Sequence, residues 1–250
     1  MIEARGVEKC FGERVVLRDI DARFEPGQTN LVIGKSGSGK TVLLKILAGL
    51  LTPDAGELFF EGVSVSQMSK RDRQRIQQKT GMLFQEGALF DSLSVGQNVM
   101  FPLLLHTKMS HRQAMRRALE CLDRVNLREV YHHLPGDLSG GMRKRVAIAR
   151  AIANKPKFLF CDEPNSGLDP QTGLVIDHLI HSVTHDLGIT TIVNTHDMNS
   201  VLGIGDHVFF LHEGVLMWEG KGSDILSTDN QTLEDFVFAT PLAQRILRES

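Results

Sequence analysis

Apolar residues fall first in short runs of roughly period two and later at helical spacing. Ile2 to Phe11 and Val15 to Phe24 read as two strands, the second alternating through Val15 and Leu17 and, after a phase slip, Ile20, Ala22 and Phe24. Phe11-Gly12-Glu13-Arg14 links them as a hairpin turn, and Pro26-Gly27 turns the chain into a third strand, Thr29 to Ile33. A helix is expected over Val42 to Ala48, a short strand over Glu57 to Phe60, a basic exposed helix over Met68 to Gln78 and a compact strand over Gly81 to Gln85. From Ser94 the texture is helical. Ser94 caps Val95 to Leu105, which Pro102 is expected to break, Ser110 caps His111 to Val125, and a third helix runs from Ser139 to about Asn154. Phe158 to Cys161 is then apolar throughout, as in a strand buried on both faces. Helix Thr172 to Asp186, strand Thr190 to Asn194, a short helix after His196 and strands near Val208 and Val215 follow. This alternation predicts a parallel sheet covered by helices, with a helical insertion over residues 86–155.

Composition narrows the class without naming a chemistry. The 250 residues are 42% hydrophobic and 23% charged, as expected of a globular protein, and the net charge of −2 gives no nucleic-acid footprint. Cys10, Cys121 and Cys161 form no C-x-x-C pair and read as reduced structural thiols. The N-terminal residues lack a signal-peptide layout, and no apolar run approaches the roughly 18 residues a membrane span needs, so a cytoplasmic chain is expected.

The chemistry is concentrated in three places. Gly34-Lys35-Ser36-Gly37-Ser38-Gly39-Lys40-Thr41 fits G-x-x-x-x-G-K-[ST] between an apolar strand and a helix. Glycines let backbone N–H groups and the helix N-terminus wrap a phosphate; Lys40 is expected to reach the β- and γ-phosphates, and the Thr41 hydroxyl to ligate Mg²⁺. At the end of the Phe158 strand, Asp162 is placed to orient the Mg²⁺ shell and Glu163 to accept a proton from attacking water. Leu138-Ser139-Gly140-Gly141-Met142 opens a helix and offers a second anion site, serving a nucleotide held by another copy of the chain. His181 and His185 stand four apart on a helix, a spacing that can chelate metal, but no third ligand is evident in the sequence.

Six motifs in order resemble those of an ABC-type ATPase over nearly the whole chain: Gly34 to Thr41 (Walker A), Phe84-Gln85 (Q-loop), Leu138 to Met142 (signature), Phe158 to Glu163 (Walker B), Ser166-Gly167-Leu168-Asp169 (D-loop) and Thr195-His196-Asp197 (switch histidine). The resemblance implies a P-loop NTPase fold of the α/β class: a largely parallel core sheet, an N-terminal antiparallel β subdomain and a helical signature-motif subdomain. It implies a single domain over 1–250; within it, Leu233, Phe236, Val237 and Leu242, Ile246, Leu247 suggest two amphipathic turns, a helical extension over 230–250. It also implies an ATPase with ATP and Mg²⁺ as ligands, in which two copies sandwich two ATP molecules between the Walker A loop of one and Ser139-Gly140-Gly141 of the other. On that pattern Glu163 is the general base, His196 contacts the γ-phosphate, Gln85 touches Mg²⁺ and the attacking water, and Asp169 crosses the dimer interface. Phe11 stands where the family usually stacks a tyrosine on adenine, keeping the π-face without the hydroxyl; Met142 replaces the commoner signature glutamine.

In finer detail, Gly87-Ala88-Leu89-Phe90-Asp91-Ser92-Leu93 and Leu138 to Val146 resemble the ATPases of Mla-type phospholipid transporters. That resemblance implies a separate transmembrane permease docking on Ala88-Leu89-Phe90 and Leu93. It further implies an MCE-domain lipid-binding protein as partner, no nucleic acid, and a peripheral position on the cytoplasmic face of the inner membrane of a bacterial envelope. The alternatives are the ATPase of a solute importer, or a soluble ABC protein acting on ribosomes or DNA.

Overall fold

A computed structural model describes residues 1–238. The first strands, β1 (Ile2–Phe11) and β2 (Arg14–Phe24), form the expected hairpin. With β4 (Ala55–Phe60) and β5 (Val63–Ser64) they make an antiparallel sheet in the order β2-β1-β4-β5. The second sheet holds β3 (Thr29–Ile33), β6 (Thr80–Leu83), β7 (Phe158–Asp162), β8 (Thr190–Thr195), β9 (His207–His212) and β10 (Val215–Gly220) in the order β10-β9-β3-β8-β7-β6. All its neighbours pair in parallel except β9 and β10.

Helix α1 (Lys40–Leu47) lies between the two sheets, where Leu43, Leu44, Ile46 and Leu47 join Ile2, Leu17, Phe24, Val32, Phe160 and Phe209 in one apolar cluster. The opposite face of the mixed sheet, with Leu31, Ile33, Leu159, Cys161 and Phe210, belongs to a second cluster shared with the helices. Alternate residues of β3 therefore serve two cores, which is why Leu31-Val32-Ile33 reads as an unbroken apolar run, while Thr29 and Asn30 at its start are polar but fully buried. Burial pushes the Cys121 thiol up to about 11 and Cys161 higher still, so both are inert protonated thiols, as their scatter implied.

The remaining helices are α2 (Lys70–Gln78), α3 (Val95–His106), α4 (His111–Arg124), α5 (Gly140–Ile152), α6 (Pro170–Leu187), α7 (Met198–Ile204) and α8 (Gln231–Val237). Helices α3, α4 and α5 lie between β6 and β7 in the chain and pack on one another. Three details depart from the sequence-based expectation. Pro102 sits inside α3 and does not break it: a capping box at Ser94 and the burial of Val95, Val99, Met100 and Leu103 outweigh the one hydrogen bond that proline removes. Strand β6 stops at Leu83, leaving Phe84 and Gln85 exposed in a loop. Helix α1 starts at Lys40, two residues before the apolar stretch that announced it. At the other end Leu233 and Val237 of α8 are buried and Phe236 packs on the main cluster, whereas the expected turns at Leu242, Ile246 and Leu247 lie outside the described residues.

Candidate functional site

Parallel pairing fixes where the chemistry gathers. Ile33 lies beside Thr195, and Asp162 beside Asn194, so the loop after β3 and the ends of β7 and β8 meet at one carboxyl edge of the sheet. An open α/β sheet presents ligands at this edge.

The loop Gly34-Lys35-Ser36-Gly37-Ser38-Gly39 leads directly into α1. Gly34 has φ 150°, and a Cβ there would meet the Leu211 carbonyl oxygen at 2.1 Å, so the backbone runs too close to β9 for any side chain. Lys40 is buried and folds back along the loop, its ammonium donating to the Gly34 carbonyl at 2.9 Å and the Lys35 carbonyl at 3.1 Å. Burial pushes this ammonium below its ordinary range, against the opposing pull of Glu163 and Asp162. Ser38 Oγ is buried and has no hydrogen-bond partner among the described residues, an orphan that a ligand oxygen in the cradle would satisfy.

Thr41 Oγ1 donates to Asp162 Oδ1 at 3.0 Å, and the Asn194 amide holds the same oxygen at 3.2 Å. Glu163 has φ 48°, uncommon for a residue with a side chain, and its N–H is tied to the Asn194 carbonyl at 3.0 Å. Its carboxylate stands 3.8 Å from the Lys40 ammonium and 2.7 Å from His196 Nδ1. A carboxylate fixed between an ammonium and an imidazole, beside a phosphate cradle, can take a proton from water held there. Lys40, Thr41, Asp162, Glu163 and His196 are therefore brought together.

The other sequence-predicted residues lie apart from that group. Gln85 is exposed, and its amide donates to Ser166 Oγ at 3.2 Å, on the loop that leads to Asp169. Asp169 is exposed at the start of α6, where it accepts from Thr172 N–H at 3.0 Å and from the Thr172 hydroxyl at 2.6 Å; these bonds hold its carboxyl below the usual range. Phe11 is half exposed at the tip of the β1–β2 hairpin, with the Lys9 ammonium 5.5 Å from its ring centroid. Ser139 is exposed and caps α5, accepting from Met142 N–H at 3.3 Å. Gly141 lies where α5 approaches α6 closely, since a Cβ there would meet Thr172 Cγ2 at 2.4 Å. Leu138 is buried, Gly140 and Met142 are half-buried, and Met142 packs against the helical core.

Sequence reasoning missed three side chains that hold these parts in place. Lys144 is buried and donates to the Gln85 carbonyl, tying α5 to the loop after β6. Asn98 is fully buried and stitches the segment before α3, giving its amide to the carbonyls of Phe90, Leu93 and Ser94, each at 3.1 Å, and accepting from Phe90 N–H at 2.8 Å. Asp177 of α6 accepts from Asn165 at 2.8 Å and from Ser200 at 2.8 Å, joining the Glu163 loop to α7. Their only sequence signal is a polar residue on an otherwise apolar helix face.

Asp177→Ala should cost about 2–4 kcal/mol, because Asn165 and Ser200 lose a buried acceptor. Burial raises the Asp177 pKa, so its contribution is greatest at acid pH and diminishes as pH rises through the folded value. Urea unfolding across the acid-to-neutral range should show the gap between wild type and variant narrowing with pH; a gap that widens contradicts this reading.

A glycine cradle at a helix start, an acidic strand end beside it and a central parallel sheet define a P-loop nucleoside triphosphatase. The chain belongs to the ABC transporter family, whose model matches residues 17–166, and it is an ATPase subunit of that kind. It is 35% identical to the intermembrane phospholipid transport system ATP-binding protein MlaF of Haemophilus influenzae, over 95% of this chain and 90% of that one. It is 37% identical to methionine import ATP-binding protein MetN 2 of Pseudomonas syringae pv. tomato, over 95% of this chain and 72% of that one. Among solved structures, the dimeric bacterial ABC transporter cassette MJ0796 matches with a TM-score of 0.80 and 33% identity, covering 88% of this chain and 98% of that one. A second MJ0796 structure, in a post-hydrolysis state, holds ADP and Pi. Nucleotide binding is thus a property of the family as well as of the motif.

Proposed function

We propose that this chain is the ATPase of a phospholipid transporter, driving a separate permease from the cytoplasmic face of an inner membrane with an MCE-domain lipid-binding protein as partner. The observation that carries the reading is the likeness to MlaF along nearly the full length of both chains. Among the described residues no helix is long and apolar enough to cross a membrane, which fits a permease supplied by another chain.

In the mechanism we propose, Gly34 to Gly39 and Lys40 bind the phosphates of ATP. Thr41 and Asp162, whose oxygens already lie 3.0 Å apart, are hard oxygen donors suited to Mg²⁺, with Gln85 joining when its loop swings in. The ion would neutralise charge on the β- and γ-phosphates. Glu163 takes a proton from the attacking water, and His196, hydrogen-bonded to Glu163, positions that water against the γ-phosphate. A second copy supplies Ser139-Gly140-Gly141 across the interface, with Asp169 at the seam, while Phe11 stacks on the adenine. Met142, packed into the helical core, gives no amide to the ribose. ATP favours the closed pair, and loss of the bridging γ-phosphate reopens it.

The permease is proposed to dock on an exposed apolar face. The Phe90 and Phe101 rings meet at a tilt with centroids 4.8 Å apart, and Leu104 and Leu105 continue the same side of α3. Phe101→Glu with Leu105→Glu should abolish co-purification of the permease while ATP hydrolysis by the isolated chain stays within a factor of about two, since surface charges away from the site are nearly neutral. Equal co-purification by the double variant would sink this docking face.

MetN 2 favours a second reading, a solute importer, with comparable identity. Gentle detergent purification from the native host, with mass spectrometry of the proteins and lipids recovered, separates the two. A permease with an MCE-domain protein and bound phospholipid is expected. A solute permease with a periplasmic binding protein would discard the lipid assignment.

A further inference from the structure

The end of the sheet opposite the nucleotide edge carries a cluster that the ATPase chemistry does not use. His181 and His185 lie one turn apart on α6 with ring centroids 4.2 Å apart. The third partner absent from the sequence pattern is Asp206, which immediately precedes β9. One donor atom from each of the three residues lies within 4.8 Å of the others.

We propose that His181, His185 and Asp206 form a binding site for a zinc-class divalent transition-metal ion. Two imidazoles and a carboxylate form a borderline-soft donor set that suits Zn²⁺ and Co²⁺ in tetrahedral geometry and suits Mg²⁺ or Ca²⁺ poorly. Three protein ligands leave one position for water, so the site is exchangeable, with affinity in the micromolar range and far below that of a closed structural zinc.

The carboxylate is preorganised. Asp206 Oδ2 accepts from Thr29 N–H at 2.7 Å, and Asp206 N–H donates to the Thr29 carbonyl at 3.1 Å, so this residue is clamped to the first residue of β3. His185 Nε2 already lies 3.1 Å from Asp206 Oδ2, and His181 Nδ1 lies 3.5 Å from Thr29 Oγ1, an outer partner able to orient the ring. His181 is half-buried and His185 exposed, so closing the donor atoms to metal-ligand spacing asks movement mainly of one exposed side chain.

The other charges nearby are compatible with a cation. Asp186, beside His185, pairs with Arg124 at 3.1 Å, which offsets that guanidinium's charge. A bound ion would join α6, which Asp169 caps, to the strand that feeds the phosphate loop and to the start of β9.

The test is Co²⁺ titration of the nucleotide-free chain, read by visible absorption, with Zn²⁺ binding followed by calorimetry and the Tm measured with and without Zn²⁺. Wild type should bind one ion per chain, with the d–d spectrum of tetrahedral nitrogen and oxygen ligation and no sulfur charge-transfer band, and Zn²⁺ should raise its Tm. His185→Gln, at the exposed position, should keep the metal-free Tm and weaken binding by about tenfold or more; the His181→Gln and His185→Gln double variant should lose the spectrum. No uptake at about 100 µM ion, well above the micromolar affinity expected of such a site, overturns the proposal. So does equal uptake by wild type and both variants, which would leave His185 and Asp206 as an ordinary polar pair.

Discussion

Replacing Glu163 with glutamine is expected to lower kcat for ATP hydrolysis by roughly 10²–10⁴-fold, the range a positioned general base supplies. The substitution keeps the side chain's shape and its place beside His196, 2.7 Å away, and removes only the basicity. The left-handed backbone at this residue aims the side chain, so a glutamine should occupy the same position. ATP binding should persist, because the phosphate contacts come from the loop and Lys40. Phosphate release measured beside nucleotide binding separates these terms: slow turnover with retained affinity supports the assignment of the base, and unaffected turnover removes it.

Lys40→Ala is expected to act at the earlier step. The ammonium is buried and, among the described residues, held by two backbone carbonyls and a carboxylate 3.8 Å away. It is therefore already desolvated and directed along the loop, and a phosphate oxygen would complete its coordination. Charge-assisted hydrogen bonds contribute about 1.5–3 kcal/mol each, so loss of one or two should weaken ATP binding by roughly 100-fold. Titration with a fluorescent ATP analogue gives the affinity. A variant that binds ATP as tightly as wild type would mean that the backbone N–H cradle alone supplies the affinity.

The central sheet and the phosphate site were legible because their sequence determinants are local. β3 and β7 are short apolar runs, each followed at once by its functional residues, and parallel pairing brings the two ends together. What could not be read depends on contacts distant in sequence or on packing that overrides a local rule. Pro102 breaks a helix in isolation but not one whose buried face is anchored at Val95, Val99 and Leu103. Asp206 joins His181 and His185 only because α6 packs back along the sheet to the start of β9. Asn98, Asp177 and Lys144 resemble ordinary polar helix residues until their burial and partners are known. Met142 was notable in the sequence as a replacement for glutamine; its packing on the helical core supplies the physical reason a thioether suits that position.

The exposed Ser139 at the start of α5 bears on the composite site most directly. The deciding measurement is the solution mass of the Glu163→Gln chain by light scattering, in saturating ATP and Mg²⁺ and then in ADP. The composite-site account predicts that ATP doubles the mass from the 27.8 kDa of one chain, that ADP does not, and that adding Ser139→Arg abolishes the doubling. A mass that stays at one chain in ATP, or a doubling that survives Ser139→Arg, would contradict the composite site formed by two copies.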